Sequence, residues 1–166
     1  MKSKAFTLIE LIVAIGLSAL FLPAIIFVYS FSLGSASQGE KYTQAYALAQ
    51  EQMEAIYYLK EYGDDWIWGD DSINTSSTEF YQLQKDGEGW ILGSKFSETT
   101  LPAESVGYPG YTAIVEISGV QRNEDGLIAE DGTVTDHLTK EVKVTVSWLE
   151  NGVPTDIDLT SYVSKH

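Results

Sequence analysis

The chain has 166 residues, 44% of them hydrophobic and 20% charged, with a formal net charge of −14. That hydrophobic share excludes a wholly disordered chain, and the acidic balance excludes recognition of DNA or RNA phosphates by the bulk of the protein. With no cysteine and only His137 and His166, disulfides, a thiol nucleophile and a Cys/His metal centre are excluded too.

Charge is unevenly distributed. Residues 11–39 carry none, and residues 11–31 are almost wholly apolar, a run long enough to cross a bilayer. Lys2 and Lys4 precede the run. A secretory signal peptide fits poorly, because the apolar stretch is too long and its only small-residue cleavage site is Gly34-Ser35-Ala36. A plain transmembrane anchor fits the length, and the two lysines then place the N-terminus in the cytoplasm and the acidic remainder outside. Neither reading accounts for Glu10, a carboxylate inside the apolar segment, where charge is costly and usually functional.

The stretch Ala5-Phe6-Thr7-Leu8-Ile9-Glu10-Leu11-Ile12-Val13 resembles the class III signal of type IV prepilins and pseudopilins. That family has a short basic leader, a small residue, an aromatic residue and then T-L-I-E-L. The resemblance implies cleavage between Ala5 and Phe6 by a prepilin peptidase and N-methylation of the new Phe6 amine. The family usually has Gly before the cut, and Ala5 stands there in this chain. The resemblance also implies that Glu10 pairs with the N-terminal amine of a neighbouring subunit during filament assembly. Stranding one member of a buried ion pair costs about 3–5 kcal/mol, so such a pair acts mainly as a registry device. Other pilin or pseudopilin subunits, a membrane assembly platform and membrane lipid are the further partners implied. No cofactor and no direct nucleic-acid contact are expected.

Gly16 and Pro23 interrupt the apolar helix. They serve either a simple kink or a segment that melts and extends when subunits pack. The small residues 32–39 are compatible with a continuing helix. Residues 40–62 read as helical, with Tyr42, Tyr46, Ala49, Met53 and Ile56 on one apolar face, Gln44, Glu51 and Glu54 opposite, and Gly63 as the stop. One helix from about residue 6 to 62 is expected, apolar in its first half and amphipathic in its second.

Residues 63–110 read as a loop region rich in turn signals, with short strands possible at 80–83 and 89–92. Trp66, Trp68 and Trp90 read as core or groove packing. Residues 111–121 form one strand candidate. Val142, Val144, Val146 and Trp148 alternate with polar residues, Glu150-Asn151-Gly152 signals a hairpin, and Ile157, Leu159, Ser161 and Val163 continue the alternation.

The expected fold is therefore α+β and pilin-like, a long N-terminal helix on a C-terminal antiparallel sheet. Its parts are a leader 1–5, a transmembrane and assembly half-helix 6–34, and a globular domain 35–166 with its sheet over 111–164. The A-x-A-x-x-Q-E-x-x-E-A pattern of residues 45–55 and the V-x-V-x-W of residues 144–148 resemble minor pilins or pseudopilins more than major pilins.

Residues 122–136 offer Asp125, Asp131 and Asp136 as weak calcium ligands, but their spacing does not match an EF-hand, and a hydrated hairpin loop with Asp-Gly turns explains them as well. Asp64, Asp65, Asp70 and Asp71 read as a solvated acidic loop. No G-x-S-x-G or phosphate loop is present, and no enzyme is expected. The expected function is that of a filament subunit, serving a pilus, a secretion pseudopilus or a competence system. The alternative is an uncleaved, single-pass anchored domain outside the cell that binds a surface ligand or calcium.

Overall fold

In a computed structural model the described residues form one α-helix and six β-strands. The structure describes residues 7–62, 78–87, 89–93, 104–105, 108–129 and 132–165. Two compact units divide at residue 42, and each is described by itself.

Helix α1 (Leu8–Tyr62) runs for 55 residues and contains Pro23. Neither Gly16 nor Pro23 ends it, and the small residues 32–39 continue it, as anticipated. A proline inside a helix removes one amide donor and crowds the preceding turn, but it need not break a helix this long. In the first unit every described residue up to Gly39 is exposed, including Leu8, Phe21, Ile25 and Phe31.

The second unit holds all the buried core among the described residues. Strands β1 (Glu79–Tyr81), β4 (Tyr111–Arg122), β5 (Val134–Glu150) and β6 (Val153–Ser164) make one antiparallel sheet in the order β1-β4-β5-β6. Strands β2 (Leu83–Asp86) and β3 (Gly89–Leu92) form a separate two-stranded hairpin. The α+β architecture, a long N-terminal helix packed on an antiparallel sheet, is the pilin-like one expected.

Period-two alternation builds the sheet's inner face. Ala113, Val115 and Ile117 on β4 lie opposite Val146, Val144 and Val142 on β5, and all six are at most 1% exposed. The outer face is polar. Lys143 Nζ lies 4.0 Å from Glu116 and 3.3 Å from Asp158, and the Thr145 hydroxyl donates to Asp158 at 2.7 Å. These exposed pairs contribute little individually. The β5–β6 turn has Asn151 at φ 52° and Gly152 at φ 82°, the left-handed pair that a two-residue hairpin requires.

The buried stripe of α1 is Ala45, Leu48, Ala49, Gln52, Met53, Ala55, Ile56 and Leu59. The predicted face shared Ala49, Met53 and Ile56 with it but also included Tyr46, which is half exposed. Tyr46 lies about 100° round the helix from the centre of the observed stripe, so its ring rests at the solvent border. The Tyr57 hydroxyl hydrogen-bonds the Ser161 hydroxyl at 2.6 Å, tying this half of the helix to β6.

Two expectations are corrected. Residues 80–83 do not form one strand, because the chain leaves the main sheet after Tyr81 and enters the hairpin at Leu83. The short strand expected at 89–92 forms as β3. Strand β5 begins at Val134, before the expected start at Lys140, and a register shift at Gly119/Val120 places Val120 opposite Asp136. That irregularity flips the phase of β4 and buries Val120. Trp66, Trp68 and the stop residue Gly63 lie outside the described residues.

Among the described residues two charged side chains are buried, Glu79 on β1 and Lys140 on β5. Glu79 lies opposite Ile117 and Lys140 opposite Gly119, on the same stretch of β4. The Tyr81 hydroxyl donates to Glu79 at 2.6 Å. Burial pushes the Lys140 ammonium below the ordinary lysine range, and the charges of Glu79 and Asp136 pull it back up.

Because the buried core starts at Ala45, a fragment of residues 35–166 is expected to fold as a soluble monomer, with cooperative urea unfolding followed by circular dichroism. In that fragment Ile56→Ala should cost about 2–5 kcal/mol, whereas Tyr46→Ala should cost less than about 1 kcal/mol. Equal losses would place the helix face wrongly.

Candidate functional site

The chemistry at the N-terminus starts with a helix end in an apolar sequence. The first amides of α1 have no partners within the helix, and water is not available to them in a membrane. Thr7 and Glu10 meet this need together. The Thr7 N–H donates to Glu10 Oε2 at 2.9 Å, and the Thr7 hydroxyl donates to the same oxygen at 3.0 Å. The Glu10 N–H reaches the Thr7 Oγ1 at 3.4 Å and the Thr7 carbonyl at 3.1 Å. This is the reciprocal capping box of a Thr-x-x-Glu sequence. It was legible in the sequence as Thr7-Leu8-Ile9-Glu10, but the contiguous resemblance drew attention to Glu10 alone.

The cap changes how Glu10 is read. Its Oε2 is occupied within the chain, while Oε1 takes no hydrogen bond from the described residues. A carboxylate can therefore hold its own helix end and still offer an oxygen to a cation arriving from outside. Around it, α1 is long and apolar enough to cross a membrane, and none of its most apolar stretch is buried within the protein. Ala5 and Phe6, the expected cleavage and methylation residues, lie outside the described residues. Gly16 has open space around its α-carbon, and Pro23 sits within the helix.

Residues 1–22 match the family model described as the prokaryotic N-terminal methylation motif. The N-terminus is a type IV prepilin-type signal. No curated protein and no solved structure matches the chain. The prepilin-type signal implies processing by a prepilin peptidase and assembly with other pilins, and the long apolar helix behind it fits a membrane-anchored, pilin-like precursor.

The second candidate region joins β4 to β5. Arg122 Nε lies 2.7 Å from Asp136 Oδ2, and Arg122 also donates to the Gly126 carbonyl at 2.7 Å. Asn123 Oδ1 accepts from the Asp125 and Leu127 amides at 3.1 and 2.9 Å, an Asx-type turn. Asp136 faces its arginine and accepts the Leu138 N–H at 2.8 Å, while Asp125 is exposed on the turn. The structure therefore does not bring these two calcium candidates together, and Asp131 lies outside the described residues. No group of three or more metal-capable side chains occurs among the described residues. Asp64, Asp65, Asp70 and Asp71 also lie outside them.

Burial disfavours the charged Asp136, but hydrogen bonds from Thr139, Arg122 and the Leu138 amide, with the Arg122 charge, outweigh it and hold the carboxyl at about 2. A depressed carboxyl stabilises the fold fully above the ordinary value near 3.8 and loses that contribution as pH falls through about 2. In urea titrations between these limits, Asp136→Asn should flatten the acid-side fall of the midpoint. At pH 7 it should lower stability by about 1–3 kcal/mol, the worth of charge-assisted hydrogen bonds. An unchanged acid limb would remove Asp136 from that role.

Proposed function

We propose that the protein is a minor pilin or pseudopilin, a structural subunit of a type IV pilus-like filament. It enters the cytoplasmic membrane as a single pass, with its basic leader in the cytoplasm and its acidic domain outside. Prepilin peptidase cuts between Ala5 and Phe6, Phe6 is N-methylated, and an assembly platform extracts the subunit into the filament. The observation that carries this reading is the methylation motif over residues 1–22 leading directly into an apolar helix whose one early carboxylate is Glu10.

The capped Glu10 supports a mechanism of transfer. In the membrane, Thr7 offsets part of the cost of the carboxylate by hydrogen bonds. During assembly the Phe6 ammonium of an adjacent copy approaches the open oxygen, and low dielectric strengthens the pair. The two carboxylate oxygens let Glu10 keep its cap while it gains its partner. The amphipathic 45–55 pattern and the Val144–Trp148 alternation support a minor rather than a major subunit.

Coexpression with a prepilin peptidase should shorten the chain by five residues, read by intact mass and N-terminal sequencing from native membranes. A native chain beginning at Met1 would contradict the proposal. Glu10→Ala should be processed and membrane-resident yet depleted from sheared filaments, with Glu10→Gln between it and the wild type. Thr7→Val keeps the carboxylate and loses the hydroxyl, at a cost to the helix end of about 1 kcal/mol. It should therefore deplete filaments less than Glu10→Ala does. Wild-type filament levels in both Glu10 variants would rule out the assembly role.

A further inference from the structure

A groove of about 300 Å³ lies where α1, the β2–β3 hairpin and residues 104–105 meet, wholly within the second unit. That size is at the lower end of small-ligand sites. Three of the chain's seven glutamines line it, Gln52, Gln82 and Gln84, together with Trp90, Glu104 and Ser105.

Packing does not explain Gln52. It is 5% exposed and is the only polar member of the buried stripe of α1. Leucine or methionine there would bury more apolar surface, and burying an amide carries a desolvation cost. Its side chain is placed instead at the groove. Beside the other two glutamines the hairpin backbone is pinned through main-chain groups. The Gly93 N–H donates to the Gln82 carbonyl at 2.9 Å, and a Cβ at position 93 would strike that carbonyl and crowd the Gln84 amide. Lys85 fixes the aromatic wall, with its ammonium 4.7 Å from the Trp90 ring centroid and 2.9 Å from Glu51. Glu51 also accepts a hydrogen bond from Tyr108.

These contacts define the ligand chemistry. Among the described residues the one cation lining the groove, Lys85, is paired with Glu51, and Glu104 adds a negative charge, so an anionic ligand is disfavoured. Amides and a serine hydroxyl both donate and accept, which suits hydroxyl groups. An indole beside them suits a face of C–H bonds. We propose that this groove binds a neutral sugar of one or two pyranose rings, with its hydroxyls on the glutamines, Ser105 and Glu104 and a ring face near Trp90. The proposal is independent of the N-terminal signal and of filament assembly.

The test uses the full chain in lipid nanodiscs, which avoids sugar-headed detergents, and saturation-transfer NMR. The probes are glucose, galactose, N-acetylglucosamine, cellobiose, lactose and chitobiose, with glucuronate and a lysine-rich peptide alongside. At least one neutral sugar should bind with a Kd of about 0.1–10 mM, and glucuronate should bind at least about tenfold more weakly. Gln84→Ala and Trp90→Ala should each weaken binding by about fivefold or more, while Thr160→Ala on β6 should leave it unchanged. Circular dichroism checks each variant, and if Trp90→Ala does not fold, Gln84→Ala at an exposed position decides. The proposal is overturned if no neutral sugar gives transfer at about 10 mM, if only the peptide binds, or if binding survives Gln84→Ala.

Discussion

Among the described residues the apolar half of α1 is exposed along its length, and this constraint governs the rest of the protein. Leu8, Ile9, Phe21, Ile25, Phe27 and Phe31 are each more than 60% exposed. Apolar surface in water costs roughly 25 cal/mol per Å², so a helix of this kind requires lipid or the helices of neighbours around it. A helix satisfies its interior backbone groups internally, so such a segment can lie in either environment without change of secondary structure. The prepilin-type signal at its start and the helix's apolar surface are thus consistent parts of one membrane-anchored precursor.

Within that segment, Glu10 is the one charged residue, and Thr7 makes it tolerable. The capping box is local: it joins two residues three apart and needs nothing from the folded domain. It therefore survives whether or not the second unit is present. It also accounts for why a threonine, rather than another apolar residue, stands at the helix start.

The second unit obeys a different constraint. Its core is a layer of small and β-branched side chains, Val142, Val144, Val146, Val115 and Ile117, covered by Ala45, Ala49 and Ile56 of the helix. Alanines on the helix allow close approach to a valine-rich sheet. Among the described residues Glu79, Tyr81 and Lys140 bring polar groups into this layer as an interacting set. The Arg122–Asp136 pair closes the far end of the β4–β5 hairpin, where the register shift would otherwise leave a carboxylate half-buried.

Local patterns determined much of this by themselves. The apolar run, the two lysines and the Phe-Thr-Leu-Ile-Glu-Leu stretch identified the N-terminal signal because its recognition depends on contiguous residues. The alternation from Val142 to Trp148 and the Asn-Gly turn placed the β5–β6 hairpin because strand period and turn chemistry are both short-range. Tertiary structure alone decided the rest. Tyr81 and Leu83 are separated by one residue yet belong to different sheets, since strand pairing depends on distant partners. Asp136, a weak calcium candidate in the sequence, has its carboxylate taken by Arg122, fourteen residues away. Gln52 and Trp90 came to line one groove, and Tyr46 fell outside the buried stripe. In each case the outcome was set by what the fold brought against the residue, which a local pattern does not encode.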